Sequence, residues 1–126
     1  MPMPSLVFVN RGTEVRIVAV KGELRPKPTD PVYVAPLFNH YESAQVCNGS
    51  VRFEHGMTPA EVERLYWRSW FTSPNQRRVH TLHRDGFYAL WRDLLKGRWK
   101  RFPESTLPAF PGASTLMDFL KGCYDR

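Results

Sequence analysis

Cys47 and Asn39 are the residues on which chemistry can be built. Asn39 lies eight positions before Cys47, within residues 36–53. A thiol with access and suitable geometry is a nucleophile. An asparagine amide beside it can donate to a developing oxyanion. The neighbours Asn48, Gly49 and Ser50 are small or polar, so Cys47 sits at an irregular point rather than on a helical face. The competing reading is that Cys47 is a small buried hydrophobe, the commonest fate of a single cysteine.

The four histidines offer weaker chemistry. His80 and His83 are three apart, and with His40, His55 and Cys47 they make a conceivable metal set. No CxxC or HxxxH spacing supports it, so no metal and no cofactor are expected. A Cys47–His40–Asn39 hydrolase arrangement is conceivable too. On an extended chain, however, His40 points to the face opposite Asn39.

The elements that must hold Cys47 run strands first, helices after. Residues 5–9 form a short apolar β-type run, and Asn10-Arg11-Gly12 is a turn signal. Residues 14–20 alternate and are β-branched, the returning strand of a hairpin. Residues 24–31 hold Pro26, Pro28 and Pro31 and form an extended surface loop. Val32-Tyr33-Val34 is a short strand candidate. Residues 37–41 and 45–53 flank a polar link and read as a hairpin, or as a strand followed by an extended segment, with Gly49 marking a bulge or a close backbone approach in the second arm.

Thr58-Pro59-Ala60-Glu61 is a capping box with proline at the first helical position. Val62, Leu65, Tyr66 and Ser69/Trp70 follow at helical spacing, with the helix expected to end near Phe71 and Ser73-Pro74-Asn75 as its stop. Asp85 precedes a second stripe, Phe87, Leu90, Trp91, Leu94 and Leu95, closed by Gly97. Ser114 or Thr115 caps a last helix through Leu120, with Gly122 just beyond. The expected fold is a single α+β domain over residues 1–126, an antiparallel β-meander with helices packed on one side, mostly C-terminal.

Composition bounds the rest. The chain has 126 residues, 42% hydrophobic and 13% aromatic, which suits one packed core. No apolar run reaches membrane-spanning length, and the N-terminus lacks the basic region of a signal peptide. A cytoplasmic protein with two free thiols, Cys47 and Cys123, is the expectation. The net charge of +6 is uneven: residues 64–101 carry ten Lys/Arg and two acids, Asp85 and Asp93. That stretch is a candidate docking surface, with Arg77, Arg78 and Arg84 as its proposed partner-binding residues. The bland reading is a solvated face. Interleaved aromatics such as Trp67, Trp70 and Trp99 leave a nucleic-acid-binding domain as an alternative. Most of them, however, fall on apolar helix faces.

Residues 31–53 resemble ubiquitin-conjugating enzymes. Tyr33, Pro36 and Phe38 look like that family's proline and aromatic approach to the site. Leu37-Phe38-Asn39 stands where His-Pro-Asn would be, and Val46-Cys47 where Ile/Val-Cys would be. The interval of eight is the usual one. Over residues 15–120 the chain is more similar still to the bacterial branch called prokaryotic family D, found as PRTRC system protein B. The pieces that carry this are Ala35-Pro36-Leu37-Phe38-Asn39, Val46-Cys47-Asn48-Gly49-Ser50, Phe71-Thr72-Ser73-Pro74-Asn75 and Leu90-Trp91-Arg92-Asp93-Leu94.

The resemblance implies a catalytic Cys47 that accepts a ubiquitin-like protein as a thioester and passes it to an amine. Asn39 would support the oxyanion or order the adjacent loop. The implied partners are the ubiquitin-like protein, a ThiF-like activating enzyme and a JAB-type isopeptidase, with no membrane or nucleic acid. Two departures stand out. His and Pro of the triplet are absent, and Asn48-Gly49 replaces the usual Leu-Asp/Glu after the cysteine. For this branch the chain is short, so an N-terminal strand or helix is expected to be missing. A non-catalytic binding or assembly module on the same fold is the reading from another class.

Overall fold

A computed structural model describes residues 1–41, 43–47, 52–68 and 80–124. Its centre is β2 (Glu14–Val20), whose residues from Val15 onward are all buried. Both alternating sets of this strand are apolar apart from Glu14 and Arg16, so both faces of the sheet must be covered. β1 (Ser5–Arg11) pairs with it in antiparallel register from Ser5↔Val20 to Arg11↔Glu14. β1 runs two residues past the expected Val9 because the turn needs only Gly12 and Thr13. Gly12 takes φ +60°, and a side chain there would come within 2.8 Å of the His55 ring.

The other edge of β2 has two partners. β3 (Tyr33–Val34) pairs at Val18↔Val34 and Ala19↔Tyr33. Residues 44–46 continue the sheet beside the first half of β2: Val46 N–H donates to Val15 O at 2.7 Å and Ile17 N–H to Ala44 O at 3.0 Å.

α1 (Pro59–Trp67) begins with the expected capping box. The Thr58 hydroxyl accepts from Glu61 N–H, and the Glu61 carboxylate accepts from Thr58 N–H. The helix ends at Trp67; the end expected near Phe71 and the stop at residues 73–75 lie outside the described residues. α2 (Phe87–Leu95) starts from Gly86 at φ +96°, not from an Asp85 side-chain cap. It closes at Gly97 in a Schellman motif, with Gly97 N–H on Leu94 O and Arg98 N–H on Asp93 O. α3 (Leu116–Tyr124) is capped by the Thr115 hydroxyl, which accepts from Asp118 N–H. It runs through Gly122, beyond the expected end, because Leu116, Phe119 and Cys123 form one buried stripe.

α1 and α2 cover one face of the sheet, with Val62, Tyr66, Phe87, Leu90, Trp91 and Leu94 against Val15, Ile17 and Ala19. α3 covers the other, against Val9, Val18 and Val20. The fold is a small α+β domain: among the described residues, three antiparallel strands are followed from Pro59 onward by three α-helices. The expected one-sided packing describes α1 and α2. Among the described residues no helix is long and apolar enough to cross a membrane.

Candidate active site

Cys47 and Asn39 lie directly across a short hairpin. His40 and Val46 form its bridge, Tyr41 N–H donates to Gln45 O at 2.8 Å, and Cys47 N–H donates to Asn39 O at 2.6 Å. The turn closes with Ala44 N–H on Tyr41 O at 3.0 Å, Ala44 standing at φ +70°. Asn39 is at φ +60°, the left-handed region that asparagine tolerates better than most side chains. It therefore turns the chain out of the Pro36–Leu37 approach and into the hairpin. Beyond Cys47 the expected bulge at Gly49 falls outside the described residues.

Period-two alternation divides this hairpin into two faces. His40 and Val46 point into the core, with only 1% and 2% of their surfaces exposed. His40 Nε2 lies 3.0 Å from the Tyr66 hydroxyl, and burial pushes its pKa down to about 3. The imidazole is neutral at physiological pH and belongs to the packing of α1. A Cys47–His40 catalytic pair is not formed. Burial also raises the Tyr66 phenol, which stays protonated.

On the other face Cys47 is partly exposed, and both cysteines are free thiols. The Tyr41 hydroxyl donates to its Sγ at 3.3 Å. This hydrogen bond, with the Cys47 charge beside it, raises the Tyr41 pKa, so the phenol keeps its proton.

Two helices fix the approach to the hairpin. Trp91 of α2 donates its indole N–H to Pro36 O at 2.9 Å in a buried contact. The Phe38 ring packs on Phe87, Tyr88 and Trp91, at 4.9, 6.3 and 5.1 Å between centroids. From α1 the Tyr66 hydroxyl reaches Phe38 O at 3.5 Å. Asn39 thus follows a residue held by an aromatic cluster, and its own side chain is 9% exposed.

The match to the family model for prokaryotic E2 family D spans residues 1–110. This chain belongs to that family. No curated protein and no solved structure matches it. The family match starts earlier than the expected residue 15 and stops before α3. In this family D chain the contacts from Trp91 and Tyr66 hold the backbone at Pro36 and Phe38, beside the stretch expected to stand at the triplet position.

The remaining candidates disperse. His55 lies over Gly12, His80 packs on Phe87 at 4.4 Å, and His83 Nε2 is 3.0 Å from Asp93. Asp93 also accepts from Arg98 at 2.7 Å and Arg92 at 3.3 Å, and the Arg98 contact leads in lowering its pKa. Two cations of the basic stretch are therefore occupied by one carboxylate. Among the described residues no three His, Cys, Asp or Glu side chains are grouped to hold a metal. Arg84 is exposed, while Arg77 and Arg78 lie outside the described residues.

Sequence reasoning missed Tyr41, Tyr66 and Trp91 as parts of the site. A signal existed for Tyr41. Once Asn39 faces Cys47, residue 41 is the diagonal neighbour of the sulfur. For Trp91 it was chemical: a buried indole N–H requires an acceptor.

Proposed function

We propose that Cys47 carries a ubiquitin-like protein as a thioester and transfers it to an amine. The observation that supports this most directly is the hairpin register, in which Cys47 N–H is bonded to Asn39 O and the thiol sits on the partly exposed face. Membership of an E2 family makes that thiol the natural acceptor. In loading, the Cys47 thiolate attacks the thioester carbonyl presented by a ThiF-like activating enzyme. A C–S bond forms, the bond to the activating cysteine breaks, and that cysteine leaves as thiolate. In transfer, an amine attacks the same carbonyl, the C–Sγ bond breaks, and the amine proton passes to solvent. Asn39 would donate its amide to the oxyanion of the tetrahedral intermediate. A JAB-type isopeptidase would reverse the product.

The test mixes the protein with its activating enzyme, ATP and the ubiquitin-like partner. A reductant-sensitive adduct that disappears in Cys47→Ala is the expected result. No adduct while the activating enzyme is itself charged would leave a non-catalytic module of the same fold. The basic stretch 64–101 is the proposed docking surface for the activating enzyme or the ubiquitin-like protein. Charge reversal at Arg77 and Arg78 should then slow loading, and reversal at the exposed Arg84 should add to it. Unchanged loading in all three variants would remove that surface from the proposal.

A further inference from the structure

We infer that Tyr41 is a further catalytic residue, whose hydroxyl stabilises negative charge on the Cys47 sulfur as the thioester breaks. The inference rests on the reading of Cys47 as the thioester cysteine and adds a role for a residue outside the triplet position.

Three observations carry it. The hydroxyl already donates to Sγ at 3.3 Å. The hairpin register makes Tyr41 and Cys47 diagonal neighbours on one face, while their chain neighbours His40 and Val46 face the core. Tyr41 is 47% exposed, so it lies on the open face of the hairpin, where substrate would approach the sulfur.

When an amine attacks the thioester, its lone pair forms the C–N bond. The C–Sγ pair then returns to sulfur as a thiolate. A donor fixed at 3.3 Å meets that charge where it develops and needs no reorganisation. Tyr41 keeps its proton throughout and does not act as the base; the amine proton leaves to solvent. The same contact is present before loading, so its effect can be read on the unloaded chain.

The test uses the full chain and iodoacetamide, which reacts with the thiolate alone. Alkylation at Cys47 is followed by mass spectrometry across pH for the native protein and Tyr41→Phe, which keeps the ring. At pH 7 the variant should react about threefold more slowly, the size of one exposed charge-assisted hydrogen bond. The gap should close at alkaline pH, where the thiol is ionised in both proteins. Equal rates at every pH would overturn the inference. So would a constant ratio at all pH values, which reports access rather than charge. Discharge of a preformed thioester to free lysine should slow by a similar factor. Because alkylation needs no partner protein, failure of thioester formation would sink the reading of Cys47 without obscuring the result at Tyr41.

Discussion

Cys47 and Cys123 are the same side chain in two settings. Cys123 is 3% exposed, on the inner stripe of α3 with Leu116 and Phe119, against Val9 and Val18. There the sulfur behaves as a small hydrophobe. Cys47 ends one arm of a hairpin, partly exposed, with a phenol hydroxyl on its sulfur. Helical periodicity turns the first inward, while the two-residue alternation set by the hairpin turns the second outward. The difference teaches that exposure of the sulfur is set here by backbone geometry: the hairpin register leaves Cys47 on the open face, and the helix turns Cys123 into the core.

The largest expected effect tests that contrast outright. Cys47→Ala should abolish adduct formation, whereas Cys123→Ala should retain it and lose only about 1 kcal/mol of stability from the emptied site. Loss of the adduct in a folded Cys123→Ala protein, measured beside circular dichroism, would break the comparison.

Next comes the support behind the hairpin. Trp91→Phe removes the donor to the buried Pro36 carbonyl and part of the ring beneath Phe38. The expected loss is about 3 kcal/mol in urea unfolding. At low denaturant, alkylation of Cys47 should change while Cys123 stays protected, because α3 packs on the opposite face of the sheet. Equal changes at both thiols would mean that the two faces move as one.

These contacts explain what was and was not legible in the sequence. β2 was readable to the residue because its β-branched alternation is local, and so was the start of α1, because a capping box spans four residues. The order of strands before helices followed from such segments. The hold on Pro36 was not readable, since Trp91 lies 55 positions away and no local period encodes that pairing. Nor was the course of α3 past Gly122, where a buried Cys123 outweighs the usual stop signal. In the site itself, Asn39 and Cys47 could be paired by their spacing and the turn between them. The phenol at position 41 needed the register first.

His40 sharpens the comparison from behind, since it is the core-facing neighbour of Asn39. Its pKa falls from 6.5 in the unfolded chain to about 3 when folded. Between those values the unfolded state binds the extra proton, so stability rises with pH and is lost as pH drops below 6.5. From pH 7 to pH 5 this one group should cost about 2 kcal/mol, followed by urea midpoints. Asp93, whose pKa is lowered chiefly by its hydrogen bond from Arg98, loses its contribution only within the carboxylate range below that window. His40→Gln should flatten the slope between pH 7 and pH 5. An unchanged slope would place the titration elsewhere.

The smallest effect separates global stability from the site. Thr58 accepts from Glu61 N–H at 3.2 Å at the exposed start of α1, one turn before Val62 enters the core. Thr58→Ala should cost about 1 kcal/mol, the usual worth of such a cap. The hydroxyl of Tyr66, two turns on, should keep its place on His40, because the tertiary packing of α1 and not its first turn holds that ring. Alkylation of Cys47 in the folded protein should therefore match that of the native chain at every pH. A slowed rate would show that fraying at the start of α1 reaches the hairpin through Tyr66, and that the exposed face of Cys47 is less independent of the core than its register implies.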